Sequence, residues 1–291
     1  MTDYREWSSA QETTTAAVDG HDDLRVAYYE AGRENDGPPV VFLHGIPTWS
    51  FLWRDVVDAV ADERRVVAPD LLGYGNSEMR DGFDRSIRAQ EAMLAGLLDR
   101  LGAESVSLVG HDIGGGVALR YAAHEPEAVR ELVLSNAVCY DSWPVEFVSG
   151  LGVPGTVESW EDAELNGKLD FVFEDGLYAD EPNETFVEGM KAPWLSPEGR
   201  TALSRAAVAT NTNHTTELDY AAITADALLL WGAEDVLQPI SYAERLAADL
   251  TGDADLVALD GAYHWVVEDR PDAYRDHLRS FLVPSEGVGD E

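Results

Sequence analysis

The stretch Val106-Ser107-Leu108-Val109-Gly110-His111-Asp112-Ile113-Gly114-Gly115-Gly116 constrains this chain more than any other. An apolar run ends on an acidic residue set among glycines, and a helix-like stretch, Val117 to Ala123, follows at once. That succession of strand, sharp turn and helix is a nucleophile elbow, with Asp where many such turns carry Ser. Gly110 and Gly114 flank a residue forced into strained backbone, where a Cβ on either neighbour would collide with the opposite arm of the turn. A carboxylate held there projects above a sheet, and its attack on carbon leaves an enzyme-bound ester. Taken alone, the same residues also suit an Asp that caps the following helix in an ordinary strand-to-helix turn.

The order of the other parts favours the elbow. Val40-Val41-Phe42-Leu43-His44-Gly45-Ile46-Pro47 is an apolar strand that breaks on Gly and Pro, which suits a loop whose N–H groups face a developing negative charge. A further strand, Ala227 to Trp231, leads to Asp235, and another, Ala254 to Leu259, leads to His264. Asp112, Asp235 and His264 therefore follow the carboxyl ends of three predicted strands, in the order nucleophile, acid, base.

With these residues in place, the chain resembles the aspartate-nucleophile branch of the α/β-hydrolases, which holds haloalkane dehalogenases and epoxide hydrolases. The resemblance spans about residues 20 to 283. His44-Gly45-Ile46-Pro47-Thr48-Trp49-Ser50-Phe51-Leu52-Trp53-Arg54 is similar to the H-G-x-P-T-x-S-[YF]-L-[WY]-R signature of haloalkane dehalogenases, and Asp70 to Ser77 matches their D-x-x-G-x-G-x-S turn. It implies an α/β fold: a mostly parallel eight-stranded sheet flanked by helices, with a helical cap inserted after the sixth strand. Strands are expected near residues 14–19, 24–30, 40–43, 65–68, 105–109, 132–135, 227–231 and 256–259. Residues 1–138 and 219–291 would form the two parts of the core and residues 139–218, where the strand–helix rhythm breaks, the cap. It also implies an oxyanion hole from the backbone N–H groups of Ile46 and Ile113, and no cofactor. No His, Cys and carboxylate cluster has metal-ligand spacing, and no phosphate-binding glycine motif follows a strand.

Departures from the family pattern bear on the substrate. Haloalkane dehalogenases commonly hold the halide between an Asn in the H-G-x-P loop and a Trp after the nucleophile; here those positions are Ile46 and Ile113. A leaving group would then need Trp49 or the cap residues Trp143 or Trp194. Epoxide hydrolases open the ring with cap tyrosines, yet the second expected position reads Leu203-Ser204-Arg205-Ala206. Tyr140 and Tyr178 are the remaining candidates for that contact. Asn136 stands where one dehalogenase subgroup carries its catalytic acid, but an amide cannot stabilise an imidazolium by charge, so Asp235 keeps the role. His44 and His111 read as structural hydrogen-bonding residues. The expected activity is hydrolysis of a carbon–halogen bond to alcohol and halide. Epoxide hydrolysis stands second, and a catalytically silent binding protein is the reading from another class.

Composition narrows the setting. The 291 residues carry 20 Lys plus Arg against 55 Asp plus Glu, a formal charge of −35, and Lys168 and Lys191 are the only lysines. The carboxylates are spread along the chain, apart from a short acidic tail at Ser285 to Glu291. Such self-repulsion points to a halophile's cytoplasmic enzyme and to neither nucleic acid nor an anionic membrane as partner. Met1 to Thr15 lacks the apolar core of a signal peptide, and the single cysteine, Cys139, forms no internal disulfide. The expected partners are a small apolar organic substrate and water, with the chain a monomer or homodimer. Because molar salt shortens the screening length to about 3 Å, the melting temperature should climb as monovalent salt is raised to molar concentration. A flat or falling melting curve over that range would contradict the halophilic reading.

Overall fold

A computed structural model describes residues 3–179 and 182–283; the acidic tail read from the sequence lies outside them. The strands are β1 (Glu12–Val18), β2 (His21–Ala31), β3 (Val40–Leu43), β4 (Val66–Pro69), β5 (Val106–His111), β6 (Val129–Ser135), β7 (Asp226–Gly232) and β8 (Ala254–Leu259). They form one sheet in the order β1-β2-β4-β3-β5-β6-β7-β8. β2 runs antiparallel to both of its neighbours, and every other pairing is parallel. All eight expected strands are present, in a sheet of the expected kind.

The central strands owe their place to continuous apolar sequence. β3 and β5 are buried along their whole length, as expected of parallel strands covered on both faces. The covering helices include α1 (Tyr4–Ala10), α2 (Ile87–Leu101) and α3 (Ile113–His124). In α2 the Ser86 side chain accepts from Ala89 N–H at the start, and Gly102, in left-handed conformation, ends the helix. Met93, Leu94, Leu97 and Leu98 make its buried stripe. Between β6 and β7 the chain passes through α4 (Glu146–Leu151), α5 (Thr156–Ser159), α6 (Asp162–Asp175), α7 (Glu184–Lys191), α8 (Pro197–Val208) and α9 (Asn213–Thr216). α10 (Ser241–Asp249), α11 (Val266–Asp269) and α12 (Pro271–Leu282) complete the helices of the described residues, α12 burying Tyr274, Leu278 and Leu282 at intervals of four.

This topology brings the loops after β3, β5, β6, β7 and β8 to one edge of the sheet, where a parallel α/β sheet opens its crevice. β5 lies between β3 and β6, so its turn is flanked by theirs. The turn is tight: a Cβ on Gly114 would stand 2.2 Å from the Leu43 carbonyl oxygen and 2.5 Å from that of His44. Gly96, within α2, has open space at the corresponding position. Gly114→Ala should therefore lower stability by several kcal/mol, as overpacking against backbone does. Gly96→Ala should raise it by about 0.5–1 kcal/mol. Denaturant melts of the two variants test this, and a Gly114→Ala protein as stable as the parent would contradict the packing described.

Candidate active site

The elbow holds Asp112 at φ 51° and ψ −121°, a conformation an L-residue adopts only under constraint. The constraint comes from hydrogen bonds at both ends of the residue. Asp112 N–H donates to the Ser135 carbonyl at 3.3 Å, and the Asp112 carbonyl accepts from Val138 N–H at 3.0 Å and Gly116 N–H at 3.2 Å. The carboxylate then projects over the sheet edge, where only 6 % of the residue remains exposed. One oxygen, Oδ1, accepts from Ile46 N–H at 2.8 Å, and the neighbouring Ile113 N–H also favours the charged carboxylate. The loop after β3 comes this close because position 45 is glycine: a Cβ there would lie 2.6 Å from Oδ1. The other oxygen, Oδ2, stands 3.8 Å from His264 Nε2.

On its far side, His264 Nδ1 lies 2.9 Å from Asp235 Oδ2. That bond makes Nδ1 the protonated nitrogen and leaves Nε2 to face Asp112. Asp235 is itself anchored. Its Oδ1 accepts from Leu237 N–H at 2.7 Å, and its Oδ2 takes a short hydrogen bond from the Asn136 side-chain amide. The Asn136 amide oxygen in turn accepts from Gly232 N–H at 3.2 Å. Asn136, just past the end of β6, thus supplies an amide that steadies the carboxylate beyond the end of β7.

The charges are unevenly favoured. Burial raises the Asp112 carboxyl above the ordinary value, and the His264 charge with the Ile46 and Ile113 N–H groups offsets this only in part. Burial also opposes charge on Asp235, but His264, Asn136 and Leu237 outweigh it and hold this carboxyl low. Burial lowers His264, while attraction to Asp235 and Asp112 more than compensates and leaves the imidazole raised. His44 is pushed down to about 3 by complete burial. It stays neutral, with Nδ1 donating to the Gly45 carbonyl and Nε2 accepting from Leu71 N–H at 2.9 Å, which is the structural role expected of it. His111 is also fully buried and held neutral, and its ring lies 4.8 Å from that of His264.

Asp112, Asp235 and His264 open into a cavity of about 400 Å³, large enough for a small organic molecule. Val145, Phe147 and Val148 close one part of it, and Phe171 and Val172 of α6 another, with Trp265 beside His264. The five aromatic residues expected to contact the leaving group or substrate are not among its walls. Each is engaged elsewhere or turned to solvent. Trp49 donates to the Gly189 carbonyl at 2.8 Å, Trp143 to Thr215 Oγ1 at 2.7 Å and Trp194 to the Pro47 carbonyl at 2.7 Å. Tyr140 donates to Asp249 at 2.8 Å, and Tyr178 is 49 % exposed. A buried indole N–H already bonded to a carbonyl has no donor left for a halide. Trp265 and Gln238, which the sequence did not single out, do line the cavity; adjacency to His264 and Asp235 was their only signal.

Comparison with known proteins bears on the family and the fold. The alpha/beta hydrolase fold family matches residues 38–172. Haloalkane dehalogenase 2 of Mycobacterium tuberculosis is 30% identical over 266 residues, 85% of this chain and 88% of that protein. The crystal structure of haloalkane dehalogenase DbeA from Bradyrhizobium elkani superposes with a TM-score of 0.75 at 27% identity, covering 93% of this chain and 97% of the other. A cis-3-alkyl-4-alkyloxetan-2-one decarboxylase of Shewanella oneidensis is 40% identical over 107 residues, 36% of this chain and 34% of that protein. The chain belongs to the α/β-hydrolase fold family, among its haloalkane dehalogenase-like members, and is a hydrolase.

Folded-state Asp112 has a raised pKa, so between the ordinary carboxyl value and that raised value the folded protein binds more protons than the unfolded chain. Stability from this group therefore falls as pH rises through that window and stays lost above it. Asp112→Asn, which removes the buried charge and keeps the shape, should melt higher than the parent at pH 7, with the gap closing in acid. A lower melting temperature for the variant at pH 7 would contradict the electrostatics described.

Proposed function

We propose that the protein hydrolyses a small, largely apolar substrate in two steps, with Asp112 as nucleophile and a covalent ester as intermediate. The observation that carries this reading is the division of labour between the two Asp112 oxygens. Oδ1 is bonded to Ile46 N–H, while Oδ2 faces His264 and the cavity. In the first step Oδ2 attacks the carbon that bears the leaving group, a C–O bond forms, and the leaving group departs with the bonding pair. No base is required, because the carboxylate is already charged. In the second step His264 Nε2 takes a proton from water as the water oxygen adds to the Asp112 carbonyl carbon. The charge that develops falls on Oδ1, which Ile46 N–H already holds, with the Ile113 N–H also favouring negative charge on this carboxyl, each such donor contributing about 3 kcal/mol where measured in other enzymes. Collapse of this adduct passes the imidazolium proton to the departing alcohol oxygen and leaves Asp112 as the carboxylic acid, which then releases its proton by way of His264 to solvent and so restores the carboxylate. Asp235 fixes the imidazole and stabilises its charge throughout.

Ester formation also prepares the base. It neutralises Asp112, one of the two negative charges that raise His264, so a larger share of the imidazole is neutral, with Nε2 free to take the proton from water. Carbon–halogen cleavage is the leading substrate assignment, on the likeness to haloalkane dehalogenases. Ile46 and Ile113 supply only backbone donors, and this favours a second reading in which the leaving oxygen stays tethered, as in a strained ring. Turnover of bromoalkanes, epoxides and oxetan-2-ones, assayed side by side in molar salt, decides between them.

Replacing His264 with Gln should leave the first step intact and block the second. Mass spectrometry of the variant incubated with a substrate that the parent turns over should then find the alkyl adduct on the peptide carrying Asp112. An unmodified peptide with that substrate would overturn the two-step scheme.

A further inference from the structure

Gln238 lies three residues after Asp235 and lines the cavity, yet it is only 1 % exposed. Its backbone is fixed, the carbonyl accepting from Trp231 Nε1 at 2.7 Å. Its side-chain carboxamide oxygen finds no hydrogen-bond partner among the described residues. A buried polar atom left in this condition costs about 1–3 kcal/mol, and a Leu or Met of similar size would fill the same space without that cost. Most of the surrounding wall is apolar, Val148, Phe171 and Leu237 among it, so the carboxamide is out of keeping with its neighbours.

We propose that the Gln238 carboxamide recognises a neutral hydroxyl group on the substrate, so that the substrate class is a hydroxylated aliphatic molecule. Charge excludes the anionic alternatives. Among the described residues no Lys or Arg lines the cavity, Asp112 and Asp235 both border it, and the whole chain carries a formal charge of −35. A carboxylate would meet repulsion there with no cation to offset it. A hydroxyl fits because it both donates and accepts, and so satisfies a carboxamide whichever end it meets. The apolar walls then take the aliphatic body. This inference rests on the proposed reaction for where the substrate reacts, but its recognition step can be measured without turnover.

The test uses the full-length protein and Gln238→Leu, with Gln238→Met as a second variant should the first fold poorly. Binding by calorimetry is compared for alkan-1-ols of four to eight carbons and for 1-fluoroalkanes of the same lengths. The parent should bind the best alkanol about tenfold more tightly than its fluoroalkane, as loss of one well-made hydrogen bond predicts. The variant should lose that preference while melting no lower than the parent. In turnover, the kcat/KM ratio of ω-bromoalkan-1-ols to 1-bromoalkanes should fall about tenfold in the variant, mainly through KM. Absence of the preference in the parent, or its survival in the variant, would overturn the proposal, since the Gln238 carboxamide would then not be the group that reads the hydroxyl. A lower melting temperature for both variants would overturn it as well, by giving the carboxamide a structural role. If no substrate releases bromide while the binding preference holds, the reaction assignment fails and the recognition by Gln238 stands. Bromide release without any preference has the opposite meaning.

Discussion

The hydrogen bond from Ile46 N–H to Asp112 Oδ1 ties together the two loops on which the rest of the site depends. It joins the end of β3 to the end of β5, and it fixes which carboxylate oxygen is held and which remains open to the cavity. The bond exists because the backbone at Asp112 is forced to positive φ and because Gly45 lets the neighbouring loop lie against the carboxylate. Strain of this kind costs about 1–3 kcal/mol and persists only where the surroundings over-determine it. Here the Ser135, Gly116 and Val138 backbone bonds do so, together with the close packing of α3 on the turn after β3.

Burial has opposite consequences for the two acidic residues. Asp235 gathers donors from three directions and is held ionised, which suits a residue that must remain charged beside an imidazolium. Asp112 has fewer, and its raised carboxyl marks a carboxylate poorly stabilised by its surroundings. That condition destabilises the fold and, in the proposed mechanism, leaves a more reactive oxygen, the usual exchange between stability and activity at a site.

Much of this was legible in the sequence because it depends on local pattern. Glycines around Asp112, apolar runs ending before Asp235 and His264, and the H-G-x-P loop are all short-range signals, and together they define the sheet and the order of the three side chains. Long-range partners were less legible. Nothing in the residue names says that Trp49, Trp143 and Trp194 direct their N–H groups to Gly189, Thr215 and Pro47. Family position made them look like contacts, whereas packing turned them into supports. Asn136 carries the same lesson. Its position was noticed and its chemistry as an acid dismissed, but its place as an amide clamp on Asp235 follows only from the adjacency of β6 and β7.

The central claim is that water attacks the Asp112 carbonyl carbon and never the substrate carbon. A single turnover in ¹⁸O-labelled water, with enzyme in excess over a substrate it hydrolyses, tests this most directly. The account predicts an alcohol whose oxygen comes unlabelled from the protein, and one ¹⁸O atom in the peptide that carries Asp112. Labelled alcohol in the first turnover, with the Asp112 peptide unlabelled, would contradict it.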